Sequence, residues 1–228
     1  MCLRILPVIL LWTWLGHGTS QSAFVFTSTL TPEQVVPLNG APSPTGISHA
    51  SAVATFVLDL DAPSVNMTYE IVFFGLSLEN DVQGIHFHIG VPPPAPTPIQ
   101  SGIGTRHSDG SVNGPHVLNV YGLPRQDDSD MVANFATNTI TGIWDNNDFN
   151  YGLDGIRDPG DSVSLGAAVE ELFDGHIYIQ VHSFAFPVPN TGELRGQIYQ
   201  VPEPSRSLMM GLMFAILSIR RSRRRDHG

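Results

Sequence analysis

Along most of this chain apolar and polar residues alternate with a period of two, the spacing of β-strands with one buried face. Residues 23–30 carry Phe24, Phe26 and Thr29, and residues 50–60 carry Ala52, Ala54, Phe56, Leu58 and Leu60 at every second position. Residues 67–76 set Tyr69, Ile71 and Phe73 against Glu70, Val72 and Phe74. The turn Asp61-Ala62-Pro63-Ser64 joins these last two segments, which predicts an antiparallel hairpin. Further strands are predicted over 84–90, 115–121, 131–136, 139–144, 176–182 and 193–199. A single helix is predicted from Leu165, because Leu165, Ala168, Val169 and Leu172 follow the i, i+3, i+4, i+7 spacing. Asp161 or Ser162 is placed to cap its start, and Gly175 stands where a C′ glycine belongs. The pattern predicts one all-β antiparallel body with one short helix before the penultimate strand.

Between these elements lie breakers. Residues 31–48 hold four prolines, and residues 92–98 read Pro-Pro-Pro-Ala-Pro-Thr-Pro, which predicts a stiff extended surface loop. Residues 145–161 are rich in Asp, Asn and Gly. A calcium loop starting at Asp145 needs an oxygen ligand at its fifth position, where Phe149 stands, so the segment is read as a solvated acidic loop.

Two of the strands carry histidine. In 84–90, alternation places Ile85, Phe87 and Ile89 on one face and His86 and His88 on the other, on a patch of surface. In 176–182, Ile177, Ile179 and Val181 oppose His176, Tyr178, Gln180 and His182. Burying both apolar faces in one sheet gathers up to four imidazoles on the opposite side. The same parity adds Arg195 and Gln197 if Leu194 and Ile198 point inward, with Glu193 beside them. His107 and His116 fall in or beside loops and are read as incidental.

Charge narrows the partners. Residues 24–200 hold 19 acidic residues against 4 Arg, and the chain has no Lys. So acidic a body repels phosphate backbones, which excludes nucleic-acid binding. The single cysteine, Cys2, falls in an N-terminal leader, so the mature body is expected without a disulfide. Residues 1–23 have the form of a secretory signal: Arg4, an apolar run from Ile5 to Leu15, then small and polar residues. At the other end Pro202-Glu203-Pro204 precedes an apolar run from Leu208 to Ile219 and a cluster of five Arg within 220–225. The run is shorter than the ~20 residues a span requires. This tripartite tail, 201–228, resembles the PEP-CTERM sorting signal. That resemblance implies a Gram-negative producer, transient inner-membrane anchoring, recognition and removal by an exosortase-type protease, and release to the cell surface or extracellular matrix.

The body resembles a known family as well. Tyr178-Ile179-Gln180-Val181-His182-Ser183, a Pro/Asn/Gly turn and Gly192-Glu193-Leu194-Arg195-Gly196-Gln197-Ile198 closely resemble the end of CHRD domains. The family's earlier H-x-H-x-G strand is matched by His86, His88 and Gly90, and the resemblance covers roughly residues 24–200. It implies a β-sandwich-like domain with an extracellular binding role, and no established reaction.

Three readings of the histidine face stay open. His86, His88 and His182 could hold zinc or copper, since three convergent imidazoles suffice for a tetrahedral site with one open position. The H-x-H strand resembles that of copper-zinc superoxide dismutase, although the other dismutase ligands and its disulfide have no counterparts here. Alternatively the imidazoles hydrogen-bond locally and fix strand pairing, with Glu193 and Arg195 as a surface ion pair. In the third reading Tyr178 and Tyr199 are exposed, and with Arg195 and Glu193 they form a face for a surface protein or exopolysaccharide. No nucleophile motif, phosphate loop or paired-carboxylate spacing stands out. The expectation is an exported surface or matrix module that binds or builds, with a metalloenzyme as the alternative.

Overall fold

A computed structural model describes residues 23–36, 42–62, 64–90, 114–124, 126–148, 164–188 and 192–202. The leader, the polyproline segment, most of the Asp/Asn loop and the tail beyond Pro202 lie outside these residues.

Ten strands and one helix follow one another in the order β1 (Ala23–Leu30), β2 (Ser51–Asp59), β3 (Asn66–Phe74), β4 (Val82–Ile89), β5 (His116–Gly122), β6 (Val132–Asn134), β7 (Thr139–Asp145), α1 (Leu165–Phe173), β8 (Ile177–Ser183), β9 (Leu194–Gln197) and β10 (Tyr199–Gln200). They form two antiparallel sheets, a six-stranded one ordered β10-β1-β2-β3-β7-β6 and a four-stranded one ordered β5-β4-β8-β9. The β2–β3 hairpin pairs in the predicted sense, from Ser51 opposite Phe74 to Asp59 opposite Asn66.

The sheets face each other as a sandwich. Phe26, Phe56, Leu58, Met67, Ile71 and Trp144 of the larger sheet are fully buried against Ile85, Phe87, Ile177, Ile179 and Val181 of the smaller. Phe87 sits at the centre, its ring edge-on to Phe56, Tyr69 and Trp144 at centroid distances of 5.8, 5.7 and 5.8 Å. Such edge-to-face contacts add to the area burial that drives the two layers together.

The sheets differ on their outer faces. Strand β2 alternates buried and exposed along its length, as a half-solvated antiparallel strand should. Strands β4 and β8 are buried on both faces, so the histidines are not on a surface patch as the alternation alone implied. Gly84 is also inside β4 rather than at its start.

Two boundaries depart from the sequence pattern. The predicted final strand breaks at Ile198, whose amide bonds Ile177 O, and the chain passes from the smaller sheet (β9) to the larger (β10). Thr31, just beyond β1, exchanges amide hydrogen bonds with Arg195 (2.9 and 3.2 Å) and ties the sheets at the same corner. Helix α1 buries Leu165, Ala168 and Leu172 as predicted, but its N-cap is Ser164, not Asp161 or Ser162. Gly175 follows the C-cap at φ +73°, the left-handed conformation that stops the helix at the cost only glycine avoids. Among the described residues no helix is long and apolar enough to cross a membrane.

Behind β5, Tyr69 donates its hydroxyl to Asp128 Oδ2 at 2.6 Å. Burial, partly opposed by that hydrogen bond, pushes the Asp128 carboxyl up to about 6. The folded chain therefore holds this proton more tightly than the unfolded chain, and ionising it destabilises the fold. That penalty is absent below about pH 4 and complete once the pH has risen through the folded value of about 6. Asp128→Asn keeps an acceptor for Tyr69 and carries no charge. It is expected to raise the thermal midpoint by a few degrees near pH 8 and to leave it unchanged near pH 3.5, as read by unfolding scans at the two pH values.

Candidate metal centre

Pairing across the smaller sheet sets the site out in rows. His88 lies opposite Tyr178, which lies opposite Gln197; His86 lies opposite Gln180, which lies opposite Arg195; Gly84 lies opposite His182. Opposed residues of neighbouring strands share a face, so the predicted His86, His88, His182, Tyr178 and Arg195 all stand on the outer side of one sheet.

Strand β5 extends the rows on the other flank, and does so irregularly. His88 pairs with His116, Phe87 with Leu118, His86 with Asn119 and Ile85 with Tyr121. Each of the two register shifts inserts one extra residue into β5, Val117 and then Val120. His116 and Asn119, three apart, therefore reach the same face. His116 is not incidental but a member of the cluster. The sequence places it beside a loop, and uniform alternation would put it on the side of Leu118 and Val120, so neither signal points to the cluster. The fourth imidazole is thus His116 rather than His176, whose Nδ1 is paired with Glu171 Oε2 at 2.8 Å.

The four rings are packed together. His116 stacks on His86 at 4.4 Å and meets His88 edge-on at 4.3 Å. His86 lies 5.8 Å from His88 and 5.1 Å from His182. One ring nitrogen from each of His86, His88 and His116 falls in a group whose members are all within 4.8 Å of one another. His182 stands beside this trio.

Backbone carbonyls fix two of the tautomers. His86 Nε2 is 2.5 Å from Leu123 O, and His88 Nδ1 is 2.9 Å from Gly114 O. A carbonyl only accepts, so each of these nitrogens carries the proton and the other nitrogen of the ring keeps its lone pair. Those other nitrogens, His86 Nδ1 and His88 Nε2, are buried without a hydrogen-bond partner, as is His182 Nδ1. Buried polar atoms in proteins are nearly always satisfied, so three orphans in one cluster need a cause. A ring held by N–H···O=C on one side and bare on the other is the arrangement of a metal-ligating histidine.

Electrostatics agree with that chemistry. Burial, and next the imidazole of His116, hold His86 and His88 well below the usual histidine value. The same causes lower His182 to about 4, against the opposing effect of the Pro187 and Phe186 carbonyls. Neutral imidazole is the form that coordinates.

Next to the rings, Tyr178 stacks on His88 at 4.9 Å with planes 8° apart, and the Arg195 guanidinium lies over the far face of Tyr178, 3.6 Å from its centroid. Both are fully buried, so Tyr178 is not the exposed contact residue the sequence suggested, whereas Tyr199 is half exposed. Glu193 does not pair with Arg195; its Oε1 accepts the hydroxyl of Ser48 at 2.5 Å. Of the Pro-Glu-Pro segment only Pro202 is described, and Glu203 and Pro204 lie outside the described residues.

Fold and site together define an antiparallel β-sandwich with an imidazole cluster built into the outer face of its smaller sheet. The CHRD domain model matches residues 26–198, most of the chain and, in whole or part, the nine strands β1–β9, and the protein belongs to that family. No curated protein and no solved structure shows a significant match to it.

Glycine makes the Leu123 contact to His86 reachable. A Cβ on Gly84 would lie 2.2 Å from Leu123 O, inside any real contact distance. Gly84→Ala must push the Leu123 carbonyl away from β4 and from His86 Nε2. The expected loss is about 1–3 kcal/mol in denaturant unfolding; a loss below about 0.5 kcal/mol would show that the carbonyl moves freely.

Proposed function

We propose that this chain is an exported cell-surface or matrix module whose CHRD sandwich binds one transition-metal ion, zinc or copper, in the cluster of His86, His88 and His116, with His182 alongside. One observation carries the reading: the buried nitrogens His86 Nδ1 and His88 Nε2 have no hydrogen-bond partner, while the opposite nitrogens of the same rings are anchored to backbone carbonyls. Left empty, each orphan costs about 1–3 kcal/mol; an ion held with His116 satisfies those of His86 and His88. His86 and His88 arrive on one strand and His116 on its neighbour, so folding itself assembles the ligands. The ion in turn stabilises the fold by mass action.

Export is supported by the family, whose domains occur in extracellular proteins, and by the two termini. The signal-like residues 1–23 direct secretion, and the tail with Pro202, Glu203 and Pro204 holds the chain at the inner membrane until an exosortase-type protease removes it. Partners on the outside, a surface protein or exopolysaccharide, would meet the acidic body rather than the buried Tyr178 and Arg195.

The metal reading is tested on the purified exported chain. About one equivalent of zinc or copper is expected by elemental analysis, with a melting temperature that falls on chelation and recovers on re-addition. The double variant His86→Ala, His88→Ala should hold no ion and lose the response to chelator; an unchanged metal content would refute the site. Export is tested by mass spectrometry of the protein recovered outside the producing cell. It should lack both the leader and the residues following the Pro-Glu-Pro motif, and recovery of the intact chain would refute the processing.

A further inference from the structure

Resting on the metal-binding reading, we infer that the ion this cluster selects is monovalent copper, Cu(I), held by His86, His88 and His116 in a three-coordinate site. The donor set leads there first by charge. All three donors are imidazoles, and among the described residues no carboxylate or thiolate joins the group. His86 is fully buried and His88 nearly so, with only His116 reaching toward solvent. An ion held by neutral ligands keeps its whole charge, and the cost of burying charge rises steeply with its magnitude. A divalent ion therefore suffers far more than a monovalent one at this place.

Coordination number points the same way. Zinc is satisfied by four ligands, and with three histidines it takes a water or hydroxide in the fourth position. The ring nitrogens of the trio all lie within 4.8 Å of one another, and His182 is not a member of that group. Tyr178 is stacked flat on His88 and covers that ring of the trio. Three nitrogens complete a Cu(I) site, whereas zinc needs a fourth ligand from outside the trio. Imidazole is soft enough for copper, and the absence of sulfur from the group makes the preference one of charge and ligand number, not of thiolate chemistry.

The experiment uses the purified full-length body, stripped of metal, under anaerobic reducing conditions. Cu(I) is titrated against a chromogenic Cu(I) chelator, Ag(I) serves as a redox-inert monovalent probe, and Zn(II) and Cu(II) are titrated separately. Cu(I) is expected to bind at least about 100-fold more tightly than Zn(II), and Ag(I) to displace it. His116→Asp then supplies the missing negative charge and should shift the Cu(I)-to-Zn(II) ratio toward zinc by at least about tenfold. A merely structural change at residue 116 would weaken both ions alike and leave the ratio in place. Zn(II) or Cu(II) binding as tightly as Cu(I) overturns this inference while the metal-binding reading stands. Failure of every ion to bind removes both. If the His116→Asp chain does not fold, the ratio measured on the unaltered protein decides.

Discussion

Everything in this structure hangs on β4 being covered on both faces. Its apolar side, with Phe87 among Phe56, Tyr69 and Trp144, locks the smaller sheet onto the larger. Its polar side would be a solvated surface in an ordinary antiparallel sheet. Here the rings of His116, His88, His86 and His182 cover one another, and Tyr178 continues the layer. Removing water from a histidine face strips it of partners, and the missing partners are what turn a strand pattern into a candidate binding site.

Backbone irregularity does the positioning. Two bulges in β5 turn His116 and Asn119 to one side, and Asn119 braces the following turn through Gly122 O and Gln126 O. That turn brings the Leu123 carbonyl over Gly84, the one place on β4 where a side chain would block it. Bulges and close glycine contacts weaken a ladder locally, and both are concentrated at the edge of the cluster. The rest of the sandwich, from the regular β1–β2–β3 ladder to the Thr31–Arg195 corner, carries the stability that tolerates them.

The local and global charges of the molecule are opposed in purpose. The body is strongly acidic, yet the cluster is kept neutral by burial, with no described acidic residue acting on His86, His88 or His182. An acidic exterior draws cations toward the protein, and on the proposed metal-binding reading the neutral interior would discriminate among those that arrive. On that reading, long-range attraction and short-range selection are handled by different residues.

The sequence by itself determined a good deal. Period-two alternation named nearly every strand, the 3.6-residue spacing found α1 with its Gly175 stop, and the H-x-H strand with the Gly-Glu-Leu-Arg-Gly-Gln segment marked the family and three of the four clustered histidines. Those signals are local: each follows from which side of one strand a residue must face. Tertiary structure alone decided what lies between strands. It turned the imidazoles from a surface patch into a buried layer, and buried Tyr178 under Arg195. It also sent Glu193 to Ser48, broke the last strand at Ile198, and recruited His116 through two inserted residues in β5. The reason is register. A one-residue insertion reverses every later side chain of a strand, and whether it occurs depends on the neighbour across the sheet rather than on the residues along the chain.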